Sequence, residues 1–302
     1  MADITSGGFN ALRTKISSIL GVGAGSRGYG QNVFSQSVNS GDVITKAQFD
    51  GLRFDIVSIW IHQTGQTPGA VVVQPGTIID DGAGDPISQY DTIINNATTS
   101  RFSIAPGQLS TSVIDTATYS NDWTDEASTV LTCTFADSNS ARYFYNSGGK
   151  IRITPSLTGH SETPQTNQWA TLLSNTGQIE FGASIDGNPL NFYDLTTDYQ
   201  IVKVANASSP YAVNGLYIEA KVNDEDNPNI ISLRVRLADA YVDPDLGEGF
   251  PADENPNDGV VDGTLSITFE EIKASGLLQP QPQAGNFTIA SPSYSTPVIT
   301  AT

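Results

Sequence analysis

The chain has 302 residues, 38% of them apolar and 15% charged, with a formal net charge of −18. Such acidity argues against sequence-independent binding to nucleic-acid phosphates, which rests on Lys and Arg neutralising the backbone. A single cysteine, Cys133, excludes an intrachain disulfide framework, and no stretch approaches the roughly 18 apolar residues of a membrane span.

The opening MADITSGGFN lacks the basic and apolar regions of a signal peptide. The expectation is therefore a protein made in a cytoplasm and not exported by that route. The charge is uneven. Residues 1–66 carry five basic and four acidic residues, a net +1, which leaves −19 for the rest. The near-neutral N-terminal part is the expected place for protein contact. Abundant Gly, Ser, Thr, Asn and Pro, with Val, Ile, Tyr and Phe prominent among the apolar residues, favour a turn-rich, mostly β chain.

In chain order, the first elements are two copies of one pattern, 40 residues apart. Residues 4–19 read ITSGGFNALRTKISSI and residues 44–59 read ITKAQFDGLRFDIVSI. In each, apolar residues fall at i, i+3, i+7 and i+10, one face of a helix. The stripes are Phe9, Leu12, Ile16, Ile19 and Phe49, Leu52, Ile56, Ile59. Thr45 with Gln48 predicts a capping box, and Gly21 a helix stop. Neither stripe can be hidden by its own helix, so each must meet the other, the following domain or another chain. We read them as an assembly interface. The intervening Gly-rich segment reads as a loop, since a phosphate cradle needs a preceding strand that is missing here.

Residues 67–125 read as a linker or mixed region, with a helix over QYDTIINNA. Residues 128–156 read as the clearest β unit. STVLTCTFA alternates, and Gly148-Gly149 predicts a hairpin between RYFYN and KIRIT. TNQWATLLS places Trp169, Leu172 and Leu173 on one helical face, with Thr166 as its cap. GQIEFGAS, NFYDLTTDYQIVKVAN, GLYIEAKV, NIISLRVRLADAYV and GTLSITFEEIKASG read as further strands, and the C-terminus as an extended segment. Residues 239–262 hold eight acids and no base, interrupted by three prolines, and read as an exposed loop. The expected organisation is a helical docking segment over 1–66, a linker over 67–125, and a β-sandwich-like domain over 126–302. The fold class is mainly β with an N-terminal α-helical pair.

The strings ARYFYNSGGKIRITPS, TNQWATLLSNTGQIEFG and NFYDLTTDYQIV resemble a domain of virion structural proteins of tailed bacteriophages, especially contractile-tailed, cyanophage-like ones. FNALRTKI, GYGQ, the run from Asp42 to Gly65, DGVVDGTLSI and SPSYSTPVI add to that resemblance, which covers least of residues 67–125. The chain departs from the family's usual pattern in having Tyr145 where Phe is expected. The resemblance implies a structural component of the neck, tail, baseplate or fibre, located in the virion and working beside other virion proteins. It brings no catalytic residues with it.

For chemistry, the acidic run is the best candidate. Asp243, Asp245, Asp253, Asp258 and Asp262 offer the hard oxygens that calcium takes, without EF-hand spacing. Tyr143, Phe144, Tyr145 and Tyr193 suggest a sugar-stacking face, although strand alternation would put Phe144 on the side opposite Tyr143 and Tyr145. His62 reads as a helix-end residue favoured by the dipole when charged, or as packing. His160 stands in a polar loop without ligand spacing, and Cys133 reads as a small buried hydrophobe. No GxSxG elbow is present. The expectation is a non-enzymatic, homo-oligomeric virion part without cofactor other than calcium. A receptor- or glycan-binding fibre module, with host surface glycan as partner, is the alternative.

Overall fold

The structure, a computed structural model, describes residues 6–22, 27–74, 85–184, 190–241, 260–275 and 289–302. By its internal contacts the chain divides into two units. One comprises Met1–Ser110, Asn139–Gly149 and Ile272–Ser291; the other comprises Thr111–Ser138, Lys150–Glu271 and Pro292–Thr302. The expected boundaries at 66 and 126 therefore differ from those found.

The helical unit is built on α1 (Ser6–Leu20), α2 (Lys46–Thr64) and α3 (Pro86–Thr99), which pack pairwise. The capping box forms as the sequence predicts: Thr45 Oγ1 accepts from Gln48 N, and Gln48 Oε1 accepts from Thr45 N. Asp85 caps α3 through Ile87 N, with Pro86 in the first turn where its missing N–H is harmless. Gly65, at φ +72°, closes α2 in the left-handed conformation.

All eight stripe residues are buried inside this unit, and Phe9 meets Phe49 edge-to-face with ring centroids 5.6 Å apart. That corrects their reading as a free assembly interface. The repeated pattern makes equivalent positions of one chain meet each other. Its repeated arginine has a repeated use as well. Arg13 Nε donates to Ser35 O (2.8 Å) and Arg53 Nε to Ala70 O (3.2 Å), so each holds an extended segment that follows its helix. Asp55, buried on α2, accepts from the backbone N–H of Phe34 and Ser35, both at 2.9 Å. Asn10 brackets Val38 with one bond to its carbonyl and one from its N–H. These side chains supply the partners that a non-helical backbone needs when it crosses helices without a sheet.

The second correction concerns RYFYN. It is not a strand but part of α4 (Ser138–Asn146), with Ala141, Phe144 and Tyr145 buried at helical spacing. Gly148 N–H donates to Tyr145 O and Gly149 N–H to Phe144 O, the paired bonds of a Schellman ending. Gly148 sits at φ +88°, where a β-carbon would also strike Ile104. So the Gly-Gly pair terminates a helix and does not turn a hairpin.

The β unit holds two antiparallel sheets. One has the order β1-β8-β3-β4, from β1 (Leu109–Tyr119), β8 (Thr264–Ala274), β3 (Lys150–Thr158) and β4 (Ile179–Gly182). The other has the order β10-β2-β7-β6-β5, with β9 also on β2. It uses β2 (Glu126–Thr134), β5 (Gln200–Asn206), β6 (Gly215–Val222), β7 (Ile230–Ala238), β9 (Ser293–Tyr294) and β10 (Thr300–Ala301). In β2, β3, β7 and β8 alternate residues are buried, so each sheet turns one face to the core. Cys133 lies there fully buried, and that burial pushes its thiol pKa up, with Glu271 adding to it. The amphipathic α5 (Pro164–Thr176) packs on β3 of one sheet and β5 of the other. Thr163 caps α5, accepting from Thr166 N, so the expected cap lies one turn too late.

Leu52→Ala should destabilise the helical unit by about 2–5 kcal/mol, as for a fully enclosed leucine. Denaturant unfolding followed by helical circular dichroism tests this; a change within experimental error would mean the site collapses without loss.

Candidate functional site

The acidic run expected as a calcium loop has only its flanks among the described residues. Asp243, Asp245, Asp253 and Asp258 lie outside them. Asp262 is described, and its carboxylate accepts from Ser161 N and Oγ at 2.9–3.1 Å. Burial pushes its pKa up, but the hydrogen bonds from Ser161 and Thr166 together outweigh this and hold it below the usual carboxylate value. Among the described residues no group of three or more His, Cys, Asp or Glu side chains is placed to hold a metal ion.

What the flanks do form is a buried polar cluster against the first turn of α5. Asp239, at the end of β7, is nearly enclosed and accepts from Gln165 Nε2 and from Trp169 Nε1 (3.2 Å). Desolvation raises its pKa, and those hydrogen bonds work in the opposite direction. Asn214 Oδ1 accepts from the N–H groups of Ala240 and Tyr241 at 2.9 and 2.8 Å. On the other flank, Thr166 Oγ1 donates to Val260 O (3.4 Å), and Val261 pairs with Trp123 through two backbone bonds. Trp123 in turn meets Trp169 edge-to-face at 5.2 Å. Consecutive residues of one helix, Gln165 and Thr166, thus hold the residues that enter and leave the acidic run. Asp239 reads in the sequence as one acid among eight. The signal that could have separated it is its place after β7, whose alternation leads into it.

The aromatic set does not form one face. Phe144 and Tyr145 are fully buried on α4, and Tyr143 covers Gly30, whose φ of +70° and lack of a β-carbon make room for the ring. Tyr193 stands in the β unit, on the one-turn 3-10 helix Phe192–Asp194. The strand alternation expected for 143–145 fails because the segment is helical.

His62 is fully buried, and its Nε2–H donates to Ser147 O (2.8 Å). Desolvation lowers its pKa from 6.5 to about 4, only partly offset by that bond. It is therefore neutral, and the expected charge–dipole role is replaced by packing and a hydrogen bond. His160 Nδ1–H donates to its neighbour Ser161 O (2.7 Å).

Sequence reading also missed the outward face of the larger sheet. Glu219 on β6 stands opposite Arg234 on β7 and binds it at 2.7 Å, with Arg236 at 3.5 Å. Tyr199 carries Lys221 and Arg234 over its ring, at 4.7 and 4.1 Å, while Arg236 lies over the ring of Tyr217. In this acidic chain the face gathers three cations, already paired with carboxylates and rings. A separate cleft of about 400 Å³ between α5 and β5 is lined by Gln168, Asn175, Lys203, Asn206 and Ser208, among others.

Comparison with protein-family models, with curated proteins and with solved structures finds no match to this chain. No helix among the described residues is long and apolar enough to cross a membrane.

Two outcomes test this geometry. Asp239→Ala strands two buried donors and should cost about 1–3 kcal/mol, with Asp239→Asn milder because an acceptor remains; equal losses in denaturant unfolding would contradict the assignment. For His62, both states are neutral above pH 6.5 and nothing is contributed. As pH falls from 6.5 towards 4, the unfolded chain takes up a proton that the folded one refuses, and stability drops by on the order of 3 kcal/mol. The slope of unfolding free energy over that window should flatten in His62→Gln; an unchanged slope would show that another group titrates.

Proposed function

We propose that this chain is a structural component of a tailed bacteriophage particle, in the neck, tail, baseplate or fibre, acting through protein–protein assembly and without catalysis of its own. The observation that carries the reading is the use made of the residues in the phage-like strings. Phe144 and Tyr145 fill the helical core, and Asn146 Nδ2 donates to Gly28 O (2.8 Å). Gly148 and Gly149 end α4, and Trp169 donates to Asp239. All of these are architectural tasks, which suits a building block better than a catalyst. The acidity of the chain fits the same reading, since it keeps crowded copies soluble.

A second reading, a glycan-binding fibre module, draws on the cleft between α5 and β5. Its amide and hydroxyl groups are the kind that bind sugar hydroxyls.

Purified virions of a phage encoding the chain should contain it in multiple copies by mass spectrometry, with a C-terminal tag placing it in cryo-electron micrographs. Absence from the particle would sink the structural reading. Retention on host polysaccharide that Asn175→Ala with Asn206→Ala abolishes would move the assignment to the glycan-binding one.

A further inference from the structure

The four outer edges of the two sheets are treated unequally. Unpaired edge strands template association with other chains, and proteins blunt them by shortness, bulges or lysine. In the larger sheet, one edge is made by β9 and β10, of two residues each. The other is β5, which has a register shift between Ile201 and Lys203 and so carries both a bulge and a lysine. In the smaller sheet, β4 has four residues, and its Glu180 binds Lys150 and Arg152 of β3. The remaining edge, β1, is neither short nor basic, although Asp115 Oδ1 accepts from the N–H of Thr116 (2.8 Å) within it. It runs for 11 residues, LSTSVIDTATY, with no proline, no basic residue and Asp115 as its one charge. Ser112, Val113, Thr116 and Thr118 are exposed, Val113 to 64%.

We propose that β1 pairs antiparallel with β1 of a second copy of this chain, closing a two-fold dimer in which two four-stranded sheets become one continuous sheet. The choice of a second copy rests on the strand's own sequence. A two-fold axis through Val113 sets Val113 against Val113, Thr111 against Asp115 and Ser112 against Ile114. The exposed valines cover each other, each lone carboxylate faces a hydroxyl, and no like charges stand opposite. Elsewhere a chain of net charge −18 repels its own copy, whereas this strand contributes a single acid. Because the pairing occupies the one edge among the described strands that is neither short nor lysine-bearing, it stops at two copies. The inference stands on the sheet edges and does not depend on the virion reading.

Sedimentation velocity of the full chain over a range of concentration and salt tests it. The expected result is a discrete dimer that tightens as salt screens the repulsion between copies. Val113→Lys, at an exposed site that does not disturb folding, should weaken the dimer by about tenfold or more, while Val213→Lys, at another exposed valine, should leave it intact. Val113→Cys should cross-link as a covalent dimer under oxidation, since the native Cys133 is fully buried. A monomer at every concentration, open-ended aggregation, or a dimer that Val113→Lys leaves unchanged would overturn the proposal. Pairing of β1 with a strand of a different protein, in place of a second copy, would overturn it too.

Discussion

The anchoring of α4 is the interaction on which the rest depends. After β2, in the larger sheet, the chain leaves for the helical unit, makes nine residues of helix, and returns as β3 in the smaller sheet. The change of sheet is made through this excursion. Two bonds and a close contact fix it there: Asn146 to Gly28, His62 to Ser147, and Tyr143 over Gly30. Buried hydrogen bonds of this kind contribute modestly when made and are expensive when broken, since a stranded polar group loses its water as well. Neutral His62 is part of that economy, because a charged imidazole would have to be desolvated in the same place.

Much of the fold was legible because the chain uses local rules consistently. The Thr45–Gln48 box, the apolar stripes of α1 and α2, and the alternation in β2, β7 and β8 all read from the sequence. RYFYN did not. Nine residues are too few for a helical period to declare itself, and three successive aromatics mimic a strand. Only the burial of Ala141, Phe144 and Tyr145 together separates the two readings. The stripes show a different limit. Periodicity says that a face must be covered, not by what, and here the covering surface is the chain itself. The candidate site was half legible. The acid run stands out by composition, but that one member, Asp239, is enclosed by Gln165 and Trp169 follows from contacts between residues some 70 positions apart.

Electrostatics runs through the molecule as a problem of placing few cations among many anions. There are 14 basic residues against 32 acidic ones. Several of those few stand in pairs or stacks: Lys150 and Arg152 on Glu180, Arg234 and Arg236 on Glu219, Lys221 on Tyr199. Half-buried pairs of this kind contribute little to stability individually. Their effect is to keep the sheet face from becoming a uniformly negative field, which allows neighbouring strands to carry charge at all.

The tryptophans fall conveniently across the division of the chain. Trp60 lies on α2 in the helical unit, and the coupled pair Trp123 and Trp169 lies in the β unit. Each unit therefore carries its own intrinsic fluorophore, in a different environment: one half-buried indole in the first, two interacting indoles in the second. Where a chain has two cores, a single melting temperature is not a well-defined quantity. Emission from a Trp60→Phe chain follows the β core alone, and the difference from the parent follows the helical one. The order in which the two cores open can then be read from light, without an added label.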